Sequence, residues 1–576
     1  MRRLVYPSFK SVKLIDKPEP IHTQDEMLQV VMHQLVNRNT APSDEIVDEI
    51  RDFRRRTTVE IEELVDERVF LQKSIIEMCG RLAKVQCRMA KKRQELTTCK
   101  QILSPIRMLP PEILGEIFRA FVEDREDDKE SNRHPAMTPS QVCSSWRQAA
   151  LGMGSLWQIV SANHKPSTAF HRVSHDLLSI SLSHILDTYF QRSDRLPLSF
   201  TLKSLTQISG AEPMHPLLLR SIMQQTHRIQ SLELHAGLKS VLEPVLQLPG
   251  DAFPILQRLL LNVTDFKAWS SPIIAFASAP LLRHVTLALR PHHPFQVSLP
   301  WSQITYLNMI SSKKPMDDGT WRVLIRLLLN LEEGRFFISQ REGQHPDPLR
   351  NHHPQVDLET PCSLQRLKLL AIHFQGQESE LDSWLLRNLK IPNLLHFQFY
   401  TIPYPYFYRW NELTLTNLAP ALGGIMSLTI SAVLLTPQEL IDILEQMPSL
   451  RTFKFNPTPS WQMTPHSVQY LLTTLEDPDE RELTPLLPSL DSLTLCVHDL
   501  AGSLPQGYAR MILARVRRRE TFRISLYIDK RRTDIIQSLP ALLSACGPKE
   551  IAKRFIDVKL IEPDKLAFHS PTVFDA

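Results

Sequence analysis

Apolar positions along the chain follow three spacings. From Ile61 to Leu96 the spacing is seven residues: Ile61, Arg68, Ile75, Leu82, Met89 and Leu96 hold one core position, and Leu64, Leu71, Met78, Val85 and Lys92 the other. That predicts a long coiled-coil helix over 43–100, opened by Ser43 as N-cap. Its five heptads make a rod of about 54 Å at 1.5 Å per residue. Arg68 and Lys92 interrupt the seam. Two coverings are open: a second copy of the chain meeting residues 61–99, or a hairpin folding back on 44–60. Residues 1–42 show no period and are expected to be a flexible arm.

The second spacing is helical and short. In LPPEILGEIF (109–118), Pro110 and Pro111 suit a first helical turn, and Glu112 suits its positive end. Ile113, Leu114, Ile117, Phe118, Phe121 and Val122 follow, an apolar face wider than one partner helix needs. In the next block, Thr138-Pro139-Ser140-Gln141 reads as a capping box opening a helix that Gly152 stops. Val142, Cys143, Trp146, Ala149 and Ala150 share a face of it. Ser155 is placed to cap a last short helix carrying Leu156, Trp157 and Ile159. Three helices in roughly 50 residues make a marginal core, so a partner is expected.

The third spacing repeats from about residue 196 onward. An apolar residue, two variable positions, an apolar residue, one variable position and an apolar residue recur at gaps of about 22 to 40 residues. The copies are Ile229-Leu232-Leu234, Leu256-Leu259-Leu261, Leu282-Val285-Leu287, Ile304-Leu307-Met309, Leu364-Leu367-Leu369, Leu394-Phe397-Phe399, Ile425-Leu428-Ile430, Leu450-Phe453-Phe455, Leu490-Leu493-Leu495 and Phe555-Val558-Leu560. FFIS (336–339) and FRISLYI (522–528) are candidates for degenerate copies in the two longer gaps. Helical stretches at Pro216–Gln225, Thr320–Glu332 and Pro437–Gln446 fall between strands. A strand every 20 to 30 residues with a helix between is the leucine-rich-repeat period, in which each copy buries its leucines against the next. An irregular α/β domain is the other arrangement this pattern allows.

The residues Leu-Pro-x-Glu-Ile-Leu-x-x-Ile-Phe, then Val-Cys-x-x-Trp-Arg-x-x-Ala, then Leu-Trp resemble an F-box, over about 50 of the 576 residues. The irregular repeats behind it are similar to those of fungal-type F-box receptors. The resemblance implies an α+β or α/β repeat fold in five parts: a flexible arm (1–42), a long helix (43–100), a three-helix F-box (105–162), a leucine-rich-repeat-like solenoid (175–565) and a tail (566–576). It implies a substrate-recognition subunit of an SCF-type cullin–RING ubiquitin ligase, acting in ubiquitin-dependent protein degradation. Leu109, Pro110, Ile113, Leu114, Ile117, Phe118, Val142 and Trp146 would then serve the Skp-type adaptor. One departure is the charged run EDREDDKESNRHP (123–135) in place of a short apolar linker; it reads as a solvated insertion. The alternative function is a repeat scaffold with no ligase link.

Composition narrows the classes. Net charge is only +4 with 22 % charged residues, which gives no general reason to bind nucleic acid. Seven cysteines without a CxxC pair point to a reducing compartment, hence cytoplasm or nucleus, and against a zinc site. The first twenty residues lack the apolar stretch of a secretory signal. Leu413–Gln438 carries no charge, yet Pro420, Gly423, Gly424 and acidic flanks argue against a membrane span. No phosphate loop, nucleophile elbow or HExxH occurs, so a non-catalytic protein without cofactor is expected. His292-His293 and His352-His353 read as loop histidines. The basic clusters Arg54–Arg56, Lys91–Arg93 and Arg515–Arg519 read as solvated faces or import signals. Strand positions expected to face a target are Glu233, Thr286, Asn308, Lys368, Gln398, Lys454, Thr494 and Lys559. A tentative target grip is YTIPYPYFYRWNE (400–412), with Tyr404, Tyr406, Tyr408 and Trp410. Tyr, Trp and Arg dominate binding hot spots, though such rings also seal the flank of a repeat array.

Overall fold

The computed structural model describes residues 23–561, apart from 125–134, 164–171, 205–215, 238, 264–271, 290–293, 310–314, 340–359, 376–387, 402–421, 432, 434, 457–464, 477–485, 498–503, 520, 530–531 and 547–554. The chain forms two compact units, Met1–Pro110 and Pro111–Ala576.

In the first unit, α1 (Thr23–Arg38) replaces the last part of the expected arm. Leu28, Val31, Met32 and Leu35 give it one helical stripe, which becomes half-buried. Asn39 turns the chain at φ 50°, a left-handed conformation that asparagine tolerates. The long helix α2 (Asp44–Ile102) follows with Ser43 as an extended N-cap whose side chain makes no capping bond. Its 59 residues run on without a break, roughly 88 Å at 1.5 Å per residue. A fold-back of 61–99 onto 44–60 is therefore excluded. Instead α1 packs on the start of α2, where Ile46, Val47, Ile50, Phe53 and Thr57 are half-buried. Beyond Thr57 the heptad seam lies exposed, and no residue of α2 is fully buried. A single 3₁₀ turn, Pro105–Met108, closes the unit.

The second unit opens with α3 (Pro111–Asp124), whose Leu114, Gly115, Phe118 and Val122 are buried. The expected second helix is split. A one-turn helix α4 (Met137–Ser140) ends at Gln141, and α5 (Ser144–Gly152) restarts with Cys143 as N-cap, its sulfur accepting the Trp146 N–H at 3.5 Å. Cys143 is fully extended (φ −156°, ψ 173°), which breaks the helical run. The last expected helix is a 3₁₀ turn, Gly154–Trp157, and Ile159 already belongs to a strand. Trp157 anchors this turn: its indole donates to Ala150 O at 2.9 Å, and the Arg192 guanidinium lies 4.4 Å above its ring. Arg192 ends α6 (Arg172–Arg192).

One parallel sheet then occupies the rest of the unit. Its strands are β1 (Ile159–Asn163), β2 (Leu198–Ser204), β3 (Ile229–Ala236), β4 (Arg258–Val263), β5 (His284–Leu289), β6 (Tyr306–Asn308), β7 (Glu333–Ser339), β8 (Leu369–Gln375), β9 (His396–Thr401), β10 (Ser427–Ser431), β11 (Thr452–Asn456), β12 (Ser492–Val497), β13 (Arg523–Asp529) and β14 (Ile556–Ile561). Every strand pairs with its neighbour in chain order, always parallel. Met316–Asp317 adds a short pairing on β7, and Cys362–Ser363 pairs separately with Leu389–Lys390. The sheet begins at 159, inside the block expected to end at 162, so the helical block runs directly into it. FFIS and FRISLYI are strands β7 and β13, as expected.

Alternation explains which face is buried. Phe200-Leu202, Leu232-Leu234, Leu259-Leu261, Val285-Leu287, Phe397-Phe399, Leu428-Ile430, Phe453-Phe455 and Leu493-Leu495 form continuous apolar rows, nearly all at or below 2 % exposure. Connecting helices carry the complementary apolar stripes. Among them are α7 (Pro216–Met223), α8 (Lys239–Leu246), α9 (Asp318–Leu327, capped by Asp317 to Thr320 N at 3.0 Å) and α10 (Pro437–Glu445, with a full Thr436/Glu439 capping box). Register corrects two repeat copies. Phe397 pairs with Leu370, so the copy is Leu367-Leu370-Ile372, three residues later than expected. Ile556 pairs with Ile524, which shifts the last copy to Ile556 and Val558. In β7 the first core position is Gly334, and Phe336 fills the space a side chain would need: a Cβ there would lie 2.6 Å from its ring.

Candidate interaction surfaces

In the helical block, α3 divides its apolar residues between core and solvent. Leu114 and Phe118 are 4 % and 1 % exposed, and Phe118 meets the half-buried Trp146 at 5.0 Å between ring centroids. These three expected adaptor residues are thus brought together as the block's core. Ile113 and Ile117, four residues apart on α3, remain 48 % and 41 % exposed. Val142, in the turn between α4 and α5, is 59 % exposed. Leu109 is half-buried and Pro110 exposed, both within the first unit. Glu116 and Arg119 pair at 2.8 Å beside the isoleucines, a surface contact of small energy. Most of the charged insertion (125–134) lies outside the described residues.

The second surface is the face of the sheet opposite the apolar rows. Thr201, Glu233, Leu260, Thr286, Asn308, Arg335, Ala371, Gln398, Thr429, Lys454, Thr494, Ser525 and Asp557 stand in one register row. Six of the expected target-facing positions belong to it. Lys368 precedes β8 and ion-pairs with Glu332 at 2.8 Å, which lowers the Glu332 pKa through that hydrogen bond. Lys559 stands one row over, where it donates to Tyr527 Oη at 3.4 Å. The hydrogen bond to Tyr527 raises its pKa.

This face is not uniform. From β2 to β7, Thr201, Lys203, Glu233, His235, Asn262, Asn308 and Arg335 are half-exposed. Glu233 accepts from Thr201 at 3.3 Å and lies 3.6 Å from His235, which meets Asn262 at 3.5 Å. From β8 onward much of the face is buried: Ala371, His373, Tyr400, Thr429, Ser431, Asn456, Thr494, Cys496 and Tyr527. His373 lies against Tyr400 with ring centroids 4.4 Å apart and planes tilted by 33°, and among the described residues its Nε2 has no hydrogen-bond partner. Burial, helped by the Arg335 charge, brings its pKa down to about 4. The expected open face is therefore continuous over β2–β7, with Gln398, Lys454 and Ser525 half-exposed beyond it and Asp557 and Lys559 exposed on the last strand. Tyr404, Tyr406, Tyr408 and Trp410 lie outside the described residues, as do both histidine pairs.

The basic cluster at the end of the helix α12 (Leu504–Arg518; α11 is Pro465–Leu475) divides: Arg517 is exposed, as a solvated face requires, while Arg515 and Arg519 bind within the fold. Arg515 is 4 % exposed and donates to the carbonyls of Leu475 and Leu487, both at 2.8 Å, and of Leu486. Arg519 pairs with Asp491 at 2.8 Å. Arg228 likewise donates to Phe190 O, Leu196 O, Asp194 O and Ser193 Oγ, and burial lowers its pKa against the opposing pull of Asp194. Such arginines act as internal fasteners between successive strand–helix segments. Arg54–Arg56 and Lys91–Arg93 are exposed on α2. Among the described residues no cluster could hold a metal ion, and no helix is long and apolar enough to cross a membrane. No protein-family model matches the chain, and no curated protein matches it.

Proposed function

We propose that the chain is the substrate-recognition subunit of an SCF-type cullin–RING ubiquitin ligase. Its helical block is an F-box that docks the Skp-type adaptor, and its in-order parallel sheet is an irregular leucine-rich-repeat solenoid that holds a protein target. The observation that carries this is the exposed pair Ile113 and Ile117, beside a core completed by Leu114, Phe118 and Trp146. An apolar stripe left open on a helix is the physical mode of helix-in-groove docking. The resemblance adds Leu109, Pro110 and Val142 to the residues that serve the adaptor. Strands that pair only with their chain neighbours are what a leucine-rich repeat requires. The half-exposed β2–β7 rows, with both charge signs present, suit a protein target.

The chain itself performs no bond chemistry. It contributes effective concentration and orientation between ligase and target, inside the cell, in cytoplasm or nucleus. Its exposed heptad stripe brings two copies together. The test is capture of a purified Skp-type adaptor by the full chain. About half of each isoleucine remains to be buried, worth roughly 0.7–1.4 kcal/mol apiece. Ile113→Asp with Ile117→Asp is expected to weaken capture by roughly 10- to 100-fold at least. Leu109→Ala with Pro110→Ala is expected to weaken it as well. Adaptor affinity untouched by both double variants, with the helical signal intact, refutes the docking surface.

A further inference from the structure

We propose that a second copy of the chain covers the α2 stripe in antiparallel orientation, with the symmetry centre between Ile76 and Glu77. This rests on the self-association just proposed and adds its direction and register.

Two independent observations meet at that centre. The first is where the seam is already covered. Half-buried seam residues of α2 stop at Thr57, the limit of the α1 contact. The nine apolar seam residues from Ile61 to Leu96 are all 43–69 % exposed. Setting Leu96 opposite Thr57 covers all nine without passing the limit of the α1 contact, and the midpoint then falls between residues 76 and 77.

The second observation is charge. In a parallel pair each seam residue meets its own copy, so Arg68 faces Arg68 and Lys92 faces Lys92 inside the interface. Arg88 on the flank then faces Arg93. In the antiparallel register Arg68 faces Val85 and Lys92 faces Ile61 of the second copy. Their aliphatic stems lie along the seam while the charges reach water. Leu71 meets Leu82, Ile75 meets Met78, and Leu64 meets Met89. On the flanks Glu67 faces Arg88 of the second copy and Glu60 faces Glu95, each twice by symmetry, so the flanks offset one another and the seam charges set the direction. Sliding by one heptad toward the C-terminus sets Arg68 against Lys92, Arg81 against Arg81 and Glu67 against Glu95. Sliding the other way drives Leu96 onto Ile50, which α1 occupies. Among these registers only the central one keeps like charges from meeting in the seam.

Sedimentation equilibrium on the full chain tests it. The wild-type chain is expected to dimerise in the micromolar range. Arg88→Glu turns two attractions into repulsions and is expected to raise the dissociation constant about tenfold. Adding Glu67→Arg is expected to restore it. Tightening by Arg88→Glu would overturn the antiparallel direction, because a parallel pair loses its Arg88–Arg93 repulsion. A helical monomer throughout the micromolar range would overturn self-association itself and assign the stripe to another occupant.

Discussion

Replacing Arg515 by methionine removes three hydrogen bonds and leaves three inward-facing carbonyls, of Leu475, Leu486 and Leu487, without that donor. Leu487 is the costly one. It is 1 % exposed and sits at φ 55°, a left-handed conformation worth about 1–2 kcal/mol of strain in a residue with a Cβ. The Arg515 bond to its carbonyl helps hold it there. Hydrogen bonds to a charged group contribute roughly 1.5–3 kcal/mol each, while burying the guanidinium costs several kcal/mol. The methionine stem recovers part of the packing. The expected net loss is about 4 kcal/mol, concentrated between α11 and β12. A sheet whose strands pair only with their chain neighbours can open locally, so a single melting temperature is the wrong readout. Hydrogen exchange resolved by peptide is the right one, and amides around 486–497 are expected to lose about 10³-fold in protection. Arg515→Lys keeps the charge but has only one nitrogen to reach three carbonyls, so it is expected to lose an intermediate amount. Protection within tenfold of wild type in Arg515→Met refutes the fastening role.

Two further outcomes follow from buried titratable groups. The pKa of His373 is about 4 in the folded chain against about 6.5 unfolded, so the unfolded chain takes up the proton first. Stability is expected to fall as pH drops from about 6.5 to about 4, by up to about 3 kcal/mol, and to level off below. His373→Phe should flatten that segment of the denaturation curve; an unaltered slope would refute the assignment. The thiols divide by exposure. Cys79, Cys87, Cys99 and Cys143 are expected to alkylate rapidly in the native chain, whereas Cys496, pushed up to about 12 by burial, and Cys546, at about 11, react only after unfolding. Native labelling of Cys496 at the rate of Cys87 contradicts this.

Periodicity carried most of the fold into view before any coordinates. Strand positions such as Leu232-Leu234 and Phe453-Phe455 follow from a side-chain alternation that the backbone itself imposes. Where leucines crowd, the same rule has two solutions: Leu364-Leu367-Leu369 and Leu367-Leu370-Ile372 both satisfy it, and only the partner strand decides. Thr138-Pro139 resembles a helix start because caps are local chemistry, but the extended Cys143 makes the chain begin again. The exposed isoleucines of α3 were legible as surplus apolar surface. The burial of His373 and Thr494 was not, since covering a sheet face is a long-range event. Arg228 and Arg515 had no signature at all: their carbonyl partners lie about 30 to 40 residues away, and nothing in an arginine marks it as internal.

Strand order has a consequence for how the molecule is made. Each strand pairs with one that precedes it by 22 to 40 residues, so its template has already left the ribosome when it emerges. At roughly 5–20 residues per second, successive strands appear about 1 to 8 seconds apart, against microseconds for forming a local strand pair. Growth of the sheet therefore keeps pace with translation, and no strand waits for a distant segment still to be synthesised. The nascent chain shows at its growing edge only the newest strand, for seconds at a time.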